Sequence, residues 1–217
     1  MADHPHSRGT TVPREKVSLG FGNLYSTPGD HIGHFYQSRE EWSDVAIPFV
    51  RAGLEAGEKC VYVIPSKVER QALLEALAAT GLNTDRALAT GQLELDEGTH
   101  DAKAMQDFLH RALSEIPAKY PFLRWGGDMT WSLKKLPTSE SLMTWEAHCN
   151  TVDNPPAIFL CQYELRAFAG SVVMDALHTH PLCLVSNTIH RNPFYEKPEA
   201  FLRNLARRKA TETTRIT

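Results

Sequence analysis

"GEKCVYVIPSKVERQALLEALAATG", residues Gly57–Gly81, sets the fold class of this 217-residue chain. Lys59 to Pro65 is a nearly continuous apolar run with a β-branched core, the pattern of a strand covered on both faces. The segment after it has the apolar spacing of an amphipathic helix, with Ser66 as its cap and Gly81 as its stop. A doubly covered strand feeding a capped helix is the opening of a crossover unit, and crossover units build parallel sheets.

The same alternation extends in both directions. Upstream, "HIGHFY" (His31–Tyr36) is short, aromatic and β-prone. "SREEWSDVAIPFVRAGLEAGE" follows as a helix, with Ser38 as N-cap and Glu41 at capping-box spacing. Pro48 predicts a kink or restart in that helix, and Gly57 is its C-terminal signal. Downstream, "QLELDEG", "PFLRWGG", "AIFLCQYEL" and "LCLVSNTIH" each read as one strand. Between and after them, "DAKAMQDFLHRALSEIPAKY", "SESLMTWEAHCNTV", "GSVVMDALHTH" and "KPEAFLRNLARRKA" read as helices. The expectation is an α/β domain of three layers, with a mainly parallel central sheet and helices on both faces. Its bounds are set at 29–195. Residues 1–28, rich in Gly, Thr, Pro and charge, are expected to be a flexible arm, and 196–217 a C-terminal helix and tail.

Composition narrows the function. Hydrophobic residues make up 42%, enough for a full core, and no apolar run is long enough to cross a membrane. The first residues carry no secretory h-region. The four cysteines lack CxxC spacing and three lie in apolar runs, which favours reduced thiols and a cytoplasmic location. Twenty-three basic against 26 acidic residues, a formal charge of −3, is a poor match to direct nucleic-acid binding. No GxxxxGK[ST], GxGxxG or GxSxG motif occurs, so nucleotide binding of the usual kind and serine-hydrolase chemistry are disfavoured. No catalytic residue is assigned, and an enzyme is not expected.

Open parallel sheets bind ligands outside the carboxyl ends of their strands. Those ends carry Tyr36, Trp125, Asp128, Trp131, Cys161 and Tyr163. In "RWGGDMTW" (Arg124–Trp131), paired glycines would let the backbone turn sharply, the tryptophans would wall a pocket, and Asp128 would orient its guest. As for metals, His31 and His34 lie three apart on a strand and so face opposite sides. His180 closes "HTHP" at a helix end. No metal site is assigned; His31, His34 and His180 are weak candidates, and Cys161 is a further candidate ligand unsupported by spacing.

Taken in order, "GDHIGHFYQSREEW", "VRAGLEAGEKCVYVIPS", "RWGGDMTW", "MTWEAHCN", "AIFLCQYEL" and "DALHTHPLCLV" resemble the MEDS domain, the methanogen/methylotroph DcmR sensory domain. "NPFYEKPEAFLRNLAR" resembles the segment that follows it, so the likeness runs from about Gly29 to Arg207. It implies a fold similar to RecA and KaiC with the nucleotide loop lost. It also puts Asp128 where RecA-like proteins keep a magnesium-serving acid. The function implied is a stand-alone sensory module that binds a small, mostly apolar organic molecule, a one-carbon or hydrocarbon derivative. The module would act on a transcription regulator or kinase, with a homo-oligomer allowed. Ligand contacts are expected from His34, Tyr36, Trp125, Asp128, Trp131, Cys161, Tyr163 and His180. No cofactor is expected. The alternatives are a haem- or metal-dependent sensor and, less favoured, residual nucleotide hydrolysis through Asp128.

Overall fold

The computed structural model describes residues 16–216. Residues 1–15, more than half of the predicted arm, lie outside them. The chain begins with a two-stranded antiparallel ribbon, β1 (Val17–Ser18) and β2 (Tyr25–Ser26). Next come β3 (His31–Tyr36), α1 (Arg39–Glu55), β4 (Lys59–Val63), α2 (Lys67–Ala79), α3 (Thr84–Ala89), β5 (Leu93–Asp96), α4 (Ala102–Ser114) and β6 (Leu123–Asp128). The remainder is a 3-10 turn (Met129–Trp131), α5 (Ser132–Lys135), α6 (Ser139–Cys149), β7 (Ala157–Glu164), α7 (Gly170–Thr179), β8 (Leu182–Val185), β9 (Thr188–Arg191) and α8 (Pro198–Ile216).

Strands β3 to β9 form one sheet in the order β5-β4-β6-β7-β3-β8-β9. Every pairing in it is parallel except β8 with β9. Strands β4 and β6 are buried along their whole length and β7 along all but its last residue, as their apolar runs required. One face is covered by α1, α2 and α3, whose Trp42, Phe49, Val50, Leu73, Leu77 and Ala87 join Ile32, Tyr62 and Leu160 of the sheet. The other is covered by α4, α6, α7 and α8, with Phe108, Trp145, Ala176 and Phe201 against Trp125, Phe159 and Tyr163. This is the three-layer α/β arrangement, with a mainly parallel central sheet, expected from the sequence.

Local signals hold closely. Ser38 Oγ accepts from the Glu41 amide, and the Glu41 carboxylate reaches back to the Gln37 amide at 2.6 Å. Ser66 caps α2, and Gly57 and Gly81 follow their helices at positive φ. Helix α1 runs unbroken through Pro48, contrary to the expected restart. The carbonyl that proline leaves unpaired belongs to Asp44, which is exposed and open to water.

Three expectations are corrected. Residues 16–28 are not a flexible arm: Val17, Leu19 and Phe21 are buried in the α1 face, and Arg124 donates to the Ser18 carbonyl at 2.7 Å. "LCLVSNTIH" is a hairpin rather than one strand, because Ser186 and Asn187 both take positive φ, the two-residue turn that suits antiparallel strands. Gly126 and Gly127 are not a sharp turn but extended residues of β6. They serve by lacking a side chain, since a Cβ at Gly126 would come within 2.9 Å of the Tyr62 ring.

Candidate functional site

The eight residues expected to line one hollow are divided by the sheet. Trp125 and Asp128 are three apart on β6, an odd spacing that sends their side chains to opposite faces. Trp125 packs edge-on to Phe108 at 4.9 Å and beside Trp145 at 5.7 Å, and Trp131 is wholly buried against Gly98. These tryptophans fill the core, and the aromatic hollow expected between them and Asp128 is absent.

His34, Tyr36 and Asp128 share the α1 face. Asp128 Oδ2 accepts from Tyr36 Oη and from Arg39, each at 3.1 Å, and its Oδ1 accepts from the Thr130 amide and hydroxyl. Gln162 donates to His34 Nδ1 at 3.0 Å and accepts from Tyr62 Oη at 2.5 Å. Burial pushes the His34 imidazole down to about 4, against a weaker opposing pull from Glu41, so the ring is neutral at pH 7. Every acceptor named here has a donor. Beside His34 lies a half-open cleft of about 730 Å³, lined by Phe35, Val45 and Pro48 and by the polar Gln37, Glu41 and Asn187.

The opposite face holds a second constellation, and it is closed. His31 begins β3, Cys161 lies on β7, Glu146 projects from α6, and His180 follows α7. All four are at most 2% exposed. Their ligand atoms lie within 4.8 Å of one another. His31 Nε2 is 3.2 Å from Glu146 Oε2 and 3.3 Å from Cys161 Sγ. Glu146 Oε2 is 3.4 Å from Cys161 Sγ and 3.5 Å from His180 Nε2. Gly33 makes room for this packing, because a Cβ there would sit 3.1 Å from His180 Cγ.

The outer partners fix the tautomers. Asn150 uses its amide N–H groups on the carbonyls of Glu146 and Thr179, so its Oδ1 faces His31 Nδ1 and must accept from it. His180 Nδ1 lies 2.6 Å from the Ala176 carbonyl, which can only accept. Both rings therefore carry their proton on Nδ1 and turn a bare Nε2 inward. Tyr163 Oη donates to Glu146 Oε1 at 2.5 Å, leaving Oε2 for the centre. Three inward atoms are thus acceptors, and the Cys161 S–H is the one donor among them. His180 Nε2 has no hydrogen-bond partner.

Burial, with His180 adding to it, pushes the His31 imidazole below its ordinary value. Burial also raises the Cys161 thiol well above the usual range, as does the Glu146 carboxylate beside it. Burial alone would raise Glu146, but positive charge at His180 and His31, carried by a proton on the inward nitrogens or by a cation in its place, holds the carboxyl below the ordinary carboxylate range. Two imidazoles, a carboxylate and a thiol are a donor set suited to a divalent transition metal. Of the predicted residues, Cys161, Tyr163 and His180 meet here with His31. Glu146 was missed, although "MTWEAHCN" contains it, because on a helix its partner residues lie far away in sequence.

A family model described as MEDS, MEthanogen/methylotroph, DcmR Sensory domain, matches residues 30–181. All four cluster residues fall inside that segment, His31 next to its start and His180 next to its end. The transcriptional repressor DcmR of Methylorubrum extorquens DM4 is 28% identical over 156 residues, 70% of this chain and 58% of the repressor. This chain therefore spans less than two thirds of that relative. Among solved structures, the flagellar accessory protein FlaH from Methanocaldococcus jannaschii matches with a TM-score of 0.49 at 11% identity, over 74% of this chain and 75% of that one.

Proposed function

The chain belongs to the MEDS family of sensory domains, and on that premise we propose that it senses a small organic molecule and regulates transcription or a kinase through a protein effector. The observation that carries the ligand site is the cleft beside His34, at the carboxyl end of β3, where open parallel sheets hold ligands. Its walls pair apolar Phe35, Val45 and Pro48 with a polar rim. It therefore suits a short hydrocarbon or one-carbon derivative that carries a hydrogen-bonding group. Because His34 is bonded through Gln162 to Tyr62, a guest that re-aims the imidazole would also disturb the polar network beneath the cleft.

The effector would dock on the protein surface, without direct contact to nucleic acid. The test is a thermal-shift screen of one-carbon and short-chain hydrocarbon derivatives on the full chain. A hit should be lost in Ser43→Trp, which fills the cleft from its α1 wall, and weakened in His34→Ala. A hit that persists undiminished in Ser43→Trp places the ligand elsewhere.

A further inference from the structure

The cleft explains nothing about the opposite face of the sheet, where a buried carboxylate, two imidazole lone pairs and a thiol point at one another. Groups of this kind are costly to bury unless a hydrogen-bond donor or a cation joins them. A proton supplies only part of what is missing. Placed between His31 and Glu146 it leaves His180 Nε2 without a partner, and placed on His180 Nε2 it meets Glu146 Oε2 only at 3.5 Å, long for a charge-assisted hydrogen bond. Replacing the proton by a metal ion satisfies all four atoms at once.

The distances fit that ion. A tetrahedral centre with metal–ligand bonds of about 2.0–2.3 Å has ligand–ligand edges of about 3.3–3.8 Å. Four of the six edges here measure 3.2, 3.3, 3.4 and 3.5 Å, and the other two are no longer than 4.8 Å. The imidazole centroids are 4.0 Å apart, too close for a haem macrocycle to lie between them. The partners needed to orient the ligands are also present, with Asn150 on His31, the Ala176 carbonyl on His180 and Tyr163 on Glu146.

We infer that His31 Nε2, His180 Nε2, Glu146 Oε2 and Cys161 Sγ hold one divalent transition-metal ion of the zinc class. Mixed nitrogen, oxygen and sulfur ligands favour such an ion over magnesium or calcium, which take oxygen. With four protein ligands and no exposed side, the site is of the closed, structural or regulatory type and does not activate water. It joins β3, β7, α6 and the end of α7. Helices α6 and α7 both pack on α8, so loading the site braces one whole face of the domain.

Cobalt(II) and zinc(II) are the probes, added to the full chain after chelation. One Co²⁺ per chain is expected, with tetrahedral d–d absorption and a thiolate charge-transfer band, and Zn²⁺ should displace it. Cys161→Ser should lose the band, and Cys161→Ser and Glu146→Gln should each lose stoichiometric uptake. Asn150→Ala should keep one ion per chain but bind it about 10–100-fold more weakly. Circular dichroism establishes that each protein is folded. A folded wild-type chain without uptake overturns the proposal. So does equal uptake by wild type, Cys161→Ser and Glu146→Gln, which would mark an adventitious ion only. His34→Ala, which tests the cleft, should leave metal uptake unchanged.

Discussion

The two faces of the sheet handle buried charge in opposite ways. On the α1 face, Asp128 takes four hydrogen bonds, and the buried Arg124 is shared between Glu58 at 2.6 Å and the carbonyls of Phe49 and Ser18. Each buried acceptor named there has a donor, and the unpartnered Trp42 Nε1 on that face is itself a donor, so nothing there calls for a cation. On the α6–α7 face, Glu146, His31 and His180 offer acceptors against a single thiol donor. The lesson is that burial of a polar group does not mark a site, whereas an unbalanced set of buried polar groups does.

The comparison breaks most visibly at Arg124. Arg124→Met should cost about 3–5 kcal/mol, because it leaves the Glu58 charge buried without its guanidinium and frees the β1–β2 ribbon. Equilibrium denaturation in urea measures this, and a loss under 1 kcal/mol would mean the face is not a balanced network.

Acid should strike the same face next. His34 binds its proton more weakly in the fold, at about 4, than in the unfolded chain, near its ordinary 6.5. Its contribution is therefore complete above about pH 6.5 and disappears as pH falls toward 4, a loss on the order of 3 kcal/mol. The stability of wild type relative to His34→Gln should fall by about 2 kcal/mol from pH 7 to pH 4.5, most of that loss. A difference that does not change with pH would contradict the burial argument.

A sharper contrast comes from matched amide substitutions in metal-free protein. Asp128→Asn removes the charge from the bonds with Arg39 and Tyr36 and should cost about 1–3 kcal/mol. Glu146→Gln adds an N–H donor where lone pairs face one another and should fall within about 1 kcal/mol of wild type. Equal losses at both positions would erase the distinction between the faces. The smallest effect belongs to the surface, where Lys103→Ala breaks an exposed i,i+4 pair with Asp107 and should change stability by at most about 0.5 kcal/mol.

Much of the fold was legible because its signals are local. Ser38, Ser66, Gly57 and Gly81 each act within four residues, and the apolar runs of β4, β6 and β7 declare burial on both faces. Helix α3 was missed because it spans only six residues, and the ribbon near the start because Val17, Leu19 and Phe21 sit among charged and polar neighbours. For the site, strand alternation correctly separated His31 from His34. The same alternation separates Trp125 from Asp128, so the proposed aromatic hollow was inconsistent with the strand that carries it. The cluster itself was not legible. Its four members lie 15 to 149 residues apart, and no sequence spacing reports that β3 lies beside β7 with α6 packed over both.

The central claim is that the α6–α7 face is built to hold a cation and the α1 face is not. Thermal unfolding with and without zinc, run on wild type, Asp128→Asn and Glu146→Gln, tests it most directly. Zinc at about 100 times its Kd should contribute about 2.7 kcal/mol, which raises Tm by about 5–10 °C for a chain of this size. The account predicts that rise in wild type and Asp128→Asn and none in Glu146→Gln. A rise of equal size in all three, or in none, would contradict it.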